Sequence, residues 1–319
     1  MKINTQTQLC AVIGNPVGHS LSPTMHNAAF QAGGLDFVYL AFEVADVGAC
    51  LDGMRAMPGF RGLSVTIPHK VAAMAHLDEV DPMARKVGCV NTITNEDGRL
   101  TGSTTDGLGT LRAFQEAGVS LADRRILFIG SGGAVRSVAF AMADRCRPEC
   151  ITVAGRTPKH VDTLVAALRG NTPTRIESAG LGAELLDILR DHDIVIQGTP
   201  VGMYPERIGE TCVPREALRP GMTIFDMVYR PMKTRLIADA EAAGCTVILG
   251  LEMLVNQAVL QFEQWTGESA PREIMRQALV AALRSDNPQP AHANGEPADS
   301  PSGVPQGGMA GGAGASSRP

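Results

Sequence analysis

Residues 125–134 read Arg125-Ile126-Leu127-Phe128-Ile129-Gly130-Ser131-Gly132-Gly133-Ala134. An apolar run ends at a glycine, two more glycines follow almost at once, and Val135, Val138 and Met142 then recur at helical spacing. The reading is strand, tight glycine turn, helix. Such a turn lets an anionic group approach the backbone closely, because no Cβ stands in the way. The first N–H groups of the helix then face that anion with a partial positive charge. An ordinary glycine turn between strand and helix would look much the same, so the flanking segments have to decide.

Downstream, the runs Cys150-Ile151-Thr152-Val153-Ala154-Gly155, Asp193-Ile194-Val195-Ile196-Gln197-Gly198-Thr199-Pro200 and Thr223-Ile224-Phe225-Asp226-Met227-Val228-Tyr229 alternate with helical patterns. That alternation across residues 107–245 is the signature of a parallel sheet built from βαβ units. Arg156, Thr157 and Lys159 follow the second strand, about 25 residues after the glycine turn, where a site for an unphosphorylated ribose places Asp or Glu. A guanidinium, a hydroxyl and an ammonium suit a 2′-phosphate instead, with Arg156 able to pair bidentately. A solvated basic loop is the plainer alternative. The expected cofactor is NADP(H), and the expected fold is α/β with a Rossmann-type doubly wound dinucleotide-binding domain.

Upstream, residues 1–106 interleave short β-rich runs (CAVIGNP, FVYLAFEV, GLSVTIP, VNTITN with GRLTG) with helical stretches such as SPTMHNAAFQAG. This is an N-terminal α/β domain expected to bind substrate. The Asn95-Glu96-Asp97-Gly98 segment between two strand candidates predicts a β-hairpin. Residues 246–284 carry apolar positions three and four apart, so they are expected to form amphipathic helices that must cover another surface. From residue 285 the chain is rich in Pro, Gly, Ala and Ser, and residues 285–319 are expected to be a disordered tail.

Composition narrows the function class. A formal charge of -5, with no Lys/Arg cluster, gives no footprint for nucleic acid. No apolar run reaches the roughly 18–20 residues of a membrane helix. The N-terminus lacks a signal-peptide pattern. Seven cysteines without framework spacing read as reduced thiols in a cytoplasmic protein, and no ligand cluster calls for a metal.

Four further patches place polar side chains where loops leave strands. In the segment from Gly14 to Pro23, Ser20 and Ser22 lie two residues apart before a helix and can bind one carboxylate without adding charge. Ser22 as a simple helix cap ahead of Pro23 is the alternative. In Gly62-Leu63-Ser64-Val65-Thr66-Ile67-Pro68-His69-Lys70, Lys70 in a dry pocket would serve as a general acid, its proton given up readily because burial disfavours the charge. A surface lysine is its commoner fate. In Gly88-Cys89-Val90-Asn91-Thr92 the Asn91 amide can both donate to and accept from substrate hydroxyls. In Gly102-Ser103-Thr104-Thr105-Asp106-Gly107, Asp106 can accept from a hydroxyl or pair with Lys70, although an Asp before Gly also suits a turn.

The order and spacing of these patches resemble the shikimate dehydrogenase family through about residue 284 of the chain. The segments Gly198-Thr199-Pro200-Val201-Gly202-Met203, Phe225-Asp226-Met227-Val228-Tyr229-Arg230-Pro231 and Met253-Leu254-Val255-Asn256-Gln257 continue the resemblance. It implies C-terminal helices that return to pack on the first domain, and reversible reduction of 3-dehydroshikimate to shikimate with NADPH. Carried over by motif, Lys70 and Asp106 would be the catalytic pair. Ser20 and Ser22 would hold the substrate carboxylate, with Thr66, Asn91, Tyr229 and Gln257 around the ring. Gly130, Gly132, Gly133 and Ala134 would face the pyrophosphate, and Arg156, Thr157 and Lys159 the 2′-phosphate. Thr199, Met203, Val228, Gly250 and Met253 would line the rest of the cofactor site, with Met203 and Met253 near the nicotinamide. The implied partner is a small polyhydroxylated carboxylate, with no nucleic acid, no membrane, and homodimerisation left open. His19 and His69 lie within motifs and are read as structural.

Two positions depart from the pattern. The family usually has Asn where this chain has Ser64 and Thr104, so two amides are expected to be missing from loops near the substrate. A quinate/shikimate or aminated-shikimate dehydrogenase is therefore the alternative enzyme, and a metabolite sensor without turnover is the reading from another class. Retention of Lys70, Asp106 and the glycine turn argues against the sensor.

Overall fold

The computed structural model describes residues 2–182 and 185–285, and within them the chain builds two six-stranded sheets in succession. Strand β1 (Gln8–Gly14) carries Cys10, Ala11, Val12 and Ile13, all buried. A run without polar alternation needs cover on both faces of its sheet. Helix α1 (Ser22–Ala32) supplies Met25, Ala29 and Phe30 beside Cys10 and Val12. After strand β2 (Phe37–Glu43), helix α2 (Val47–Arg55) supplies Leu51 and Met54 beside Ala11 and Ile13. Strand β3 (Phe60–Val65) completes a parallel set in which β1 pairs with both β2 and β3.

The chain then changes direction. Strand β4 (Glu79–Val80) leads to helix α3 (Pro82–Val87). The Asp81 carboxylate caps α3, accepting from the N–H of Met83 at 2.7 Å and of Ala84 at 3.0 Å. Gly88 ends the helix at φ 76° and sends the chain into Cys89-Val90-Asn91. Strands β5 (Thr92–Glu96) and β6 (Arg99–Ser103) form the expected hairpin. Asp97 and Gly98 at its turn have φ 51° and 86°, the left-handed pair of a type I′ turn. Strand β5 runs antiparallel to β3 and β6, and the sheet order is β2-β1-β3-β5-β6-β4.

Helix α4 (Asp106–Glu116) crosses to the second sheet. There β7 (Arg125–Ile129), α5 (Gly133–Arg145), β8 (Cys150–Ala154), α6 (Pro158–Arg169), β9 (Arg175–Ala179), α7 (Leu185–Arg190), β10 (Ile194–Gln197), β11 (Thr223–Asp226), α8 (Arg235–Ala242) and β12 (Thr246–Leu249) follow one another. All neighbouring strands are parallel, in the order β12-β11-β10-β7-β8-β9. This is the doubly wound arrangement, and the strand order reverses between β7 and β10, where such sheets open a crevice for ligands.

Two helices close the described chain, α9 (Gly250–Thr266) and α10 (Arg272–Ser285). Leu251, Val255, Val259 and Phe262 of α9 and Met275, Leu279 and Leu283 of α10 share one apolar cluster with Cys10, Val12 and the α1 side chains. The helices thus return to the first sheet. One boundary needs correction: the dinucleotide-binding part was expected to end at residue 245, but β12 pairs with β11 and extends that sheet through Leu249. The expected tail lies outside the described residues, apart from Ser285 at the end of α10.

Candidate active site

Lys70 sits four residues beyond Thr66, in the turn that leaves β3, and its main-chain carbonyl accepts from Val90 N at 2.9 Å. That bond ties the second and third sequence patches together. Asp106 is the first residue of α4, where the partial positive charge of a helix N-terminus favours a carboxylate. Lys70 Nζ donates to Asp106 Oδ2 at 2.6 Å, with the lysine half-buried and the aspartate buried. Burial works against the Lys70 charge, but the Asp106 carboxylate in contact outweighs it and holds the ammonium above its ordinary range. The expectation of a lysine that sheds its proton readily is therefore corrected: the partner carboxylate makes it a stable ammonium in the free protein.

Asn91 joins this pair. Its Nδ2 donates to Asp106 Oδ1 at 2.7 Å and to Thr105 Oγ1 at 3.0 Å, while Oδ1 accepts from Thr105 N and from Thr92 Oγ1, each at 2.8 Å. Both amide protons of Asn91 are thus already committed within the protein.

A cavity of about 220 Å³ opens on Lys70, Asp106 and Asn91. Ser20, Ser22, Thr66, Tyr229 and Gln257 also line it, as do Ala134 at the start of α5 and Gly250 and Met253 at the start of α9. Ser22 is not the helix cap: α1 begins at Ser22 itself, Leu21 takes the cap position without a side-chain bond, and Ser20 Oγ accepts from Ser22 N at 3.4 Å. His69 is held by its ring contact with Val44 O at 2.7 Å, whereas His19, read as structural, lines the cavity.

The glycine turn meets the switch point. Gly130 has φ 116°, and a Cβ there would stand 2.9 Å from Gly198 O at the end of β10. Gly132 takes the cap position of α5 without any side-chain bond, so no side chain competes for the first N–H groups. Gly133 and Ala134 open the first turn of α5. Arg156 and Thr157 are exposed between β8 and α6 and Lys159 in the first turn of α6, and among the described residues neither Arg156 nor Lys159 is in an ion pair. Gln197 braces the next loop, its Nε2 donating to Thr199 O at 3.1 Å and Val201 O at 3.0 Å. Met253 joins the cavity wall, and Met203, 45% exposed on that loop, lies outside it. Val228 is buried with its N–H on Asp226 Oδ1 at 3.0 Å, and like Thr199 it is not part of the wall.

Comparison with known proteins bears on this geometry. Residues 12–93 match the family described as "Shikimate dehydrogenase substrate binding domain", and residues 250–280 the one described as "Shikimate 5'-dehydrogenase C-terminal domain". Over 299 residues the chain is 44% identical to the shikimate dehydrogenase (NADP(+)) of Moorella thermoacetica, covering 91% of this chain and 99% of the relative. The chain belongs to the shikimate dehydrogenase family.

Solved shikimate dehydrogenase structures agree. One in complex with NADP+ matches with a TM-score of 0.83 at 38% identity, covering 88% of this chain and 98% of that one. The Listeria monocytogenes shikimate 5-dehydrogenase in complex with shikimate and NAD matches with a TM-score of 0.82 at 36% identity and the same coverage.

In this member of the shikimate dehydrogenase family the two departures from the usual asparagines behave differently. Ser64 lines the cavity. Thr104 does not: it is buried against α5, with Oγ1 donating to Ser137 Oγ at 3.3 Å. Of the two amides expected to be missing near the substrate, the one at position 64 falls on the cavity wall and the one at position 104 does not. Sequence reasoning missed Gln261, which lines the cavity and accepts from Ser64 Oγ at 2.8 Å. The missed signal was its spacing: Met253, Gln257 and Gln261 recur every four residues on one face of α9.

Proposed function

We propose that the protein is an NADP-dependent shikimate dehydrogenase that reversibly reduces 3-dehydroshikimate to shikimate. One observation carries the reading: the 2.6 Å contact between Lys70 and Asp106 lies in a cavity that also takes Ala134 from the nucleotide-binding helix into its wall. The proton donor and the helix that would hold the dinucleotide thereby border the same space.

The residues fit the cofactor. The Gly130 turn, the uncapped start of α5 with Gly132, Gly133 and Ala134, and Arg156 and Lys159, without an ion pair among the described residues, with Thr157 would form a path for a pyrophosphate and a 2′-phosphate. When bound, the dinucleotide supplies or accepts the hydride. The chain does the rest. Ser20 and Ser22 bind the substrate carboxylate, and Thr66, Asn91, Tyr229 and Gln257 surround the ring. Lys70 Nζ donates its proton to the carbonyl oxygen as negative charge builds there, lowering the barrier as any placed donor does. Asp106 holds Nζ in place before and after the transfer. In the direction of alcohol oxidation the neutral amine takes that proton back.

Residues up to about 106 and the returning helices form the substrate side, and the parallel sheet forms the cofactor side. The enzyme belongs to aromatic amino acid biosynthesis, acts in the cytoplasm, and a homodimer is the assembly to test first. No helix among the described residues is long and apolar enough to cross a membrane. The test is product identity: shikimate and NADP+ should give 3-dehydroshikimate and NADPH in equal amounts. Formation of either one without the other would refute the assignment.

A further inference from the structure

From Tyr39, outside the cavity wall, a run of buried polar side chains leads along the wall to Asp106. Tyr39 OH is 2.6 Å from Ser64 Oγ, and Ser64 Oγ is 2.8 Å from Gln261 Oε1. Gln261 Nε2 lies 2.9 Å from Thr92 Oγ1 and 3.2 Å from the main-chain oxygen of Asn91. Thr92 Oγ1 is 2.8 Å from Asn91 Oδ1, and Asn91 Nδ2 is 2.7 Å from Asp106 Oδ1. Tyr39, Ser64, Gln261, Thr92, Asn91 and Asp106 are all buried.

Fixed groups at the ends determine where each proton goes. The Asn91 carbonyl can only accept, so the Gln261 atom beside it is Nε2. Oε1 is then an acceptor, and Ser64 must give it its single proton. With that proton spent, the Tyr39 hydroxyl must donate to Ser64. At the other end the Thr105 N–H can only donate, which fixes Asn91 Oδ1 as acceptor and turns Nδ2 to the Asp106 carboxylate. Thr92 accepts from Gln261 and donates to Asn91. Every donor along the run points toward Asp106. No group can reverse without breaking another bond of the run.

We infer that Gln261, with Tyr39 behind it, is a positioning residue for the Asp106 carboxylate. The inference rests on the reading of Lys70 and Asp106 as the reacting pair. Gln261 grips Asn91 twice, on its main-chain oxygen and through Thr92 on its side chain, and Asn91 in turn holds one oxygen of Asp106 while Lys70 holds the other. In a site of low dielectric such bonds polarise one another and lock one geometry. Tyr39 closes the far end, stacked on the His26 ring with centroids 4.4 Å apart and planes 5° from parallel. Ser64, where the family usually has Asn, is the link that joins Tyr39 to Gln261.

The test uses the full-length enzyme with two variants. Gln261→Glu keeps size and shape but cannot donate to Asn91 and Thr92 while ionised. Tyr39→Phe removes the last donor, at a residue outside the cavity wall. Gln261→Glu should lower kcat at least about tenfold, as small misplacements of reacting groups do. Its KM for shikimate and Kd for NADP+ should stay within about twofold of wild type. Tyr39→Phe should lower kcat about two- to fivefold with the same split. A Gln261→Glu enzyme with raised KM and wild-type kcat would make Gln261 a substrate ligand and overturn the inference. If that variant does not fold, Tyr39→Phe decides alone, and wild-type kcat there overturns it. Lys70→Ala in parallel separates the two claims: full activity in Lys70→Ala refutes the catalytic pair itself, whereas loss there with unchanged Tyr39→Phe and Gln261→Glu refutes only the positioning role.

Discussion

Lys70 Nζ and Asp106 Oδ2 are 2.6 Å apart although the residues are 36 positions apart in sequence. The turn after β3 and the first residue of α4 meet because Val90 N bonds Lys70 O and Asn91 N bonds Ser103 O, at 2.9 and 3.1 Å, drawing both loops onto one segment.

Lys70→Ala should lower kcat by roughly 10²–10⁴-fold, the range for loss of a general acid, with a smaller effect on KM. Steady-state kinetics in both directions check this. Near-wild-type turnover would remove Lys70 from the proton transfer.

Arg156→Asp should weaken NADP+ far more than NAD+, because a carboxylate repels a 2′-phosphate and can bind a 2′-hydroxyl. Titration of each cofactor reads the difference. Equal losses would place the 2′-phosphate elsewhere.

Thr104 and Ser64 should respond differently to truncation. Thr104→Ala removes a bond to Ser137 at 3.3 Å and should leave the ratio of kcat/KM for shikimate over quinate unchanged. Ser64→Ala alters the cavity wall and should change that ratio. The opposite pattern would mean that the wall is drawn wrongly at these two residues.

Two buried groups set opposite pH dependences of stability. Burial pushes His26 down to about 3 against a weaker opposing influence of the Gln261 side chain, and neither ring nitrogen meets hydrogen-bond geometry with a partner among the described residues. The unfolded chain then binds the proton more readily, so this contribution is complete above the ordinary histidine value and is lost as pH falls toward 3. Burial raises Asp226 to about 6 against the bonds it accepts from Thr234, Val228 and Gln197. Here the folded state binds the proton more tightly, so the contribution is complete below the ordinary carboxylate value and is lost as pH rises through 6. Relative to wild type, His26→Phe should gain Tm as pH drops from 6.5 to 4, and Asp226→Asn should gain Tm as pH rises from 4 to 7. Tm differences that do not vary with pH would contradict both assignments.

Much of this was legible beforehand, for physical reasons. The glycine turn at Gly130 announces itself because a strand, a glycine of positive φ and a helix must adjoin there. Asp97-Gly98 marks a hairpin because few residue pairs tolerate its turn. Strand β9 did not show, since only Ile176 of its five residues is buried and an edge strand carries a weak apolar pattern. The protonation of Lys70 was misjudged because the sequence offers Asp106 as one of two partners but does not give the 2.6 Å contact that outweighs burial. Gln261 was overlooked because a glutamine on an amphipathic helix looks solvent-facing until its four-residue spacing from Gln257 is set against the cavity they share.

The most direct test of the functional account is a set of initial rates with shikimate and with quinate, each with NADP+ and with NAD+. The account predicts the highest kcat/KM for shikimate with NADP+. Activity confined to quinate, or absent with both acids, would contradict it and would make Ser64 the mark of a different substrate.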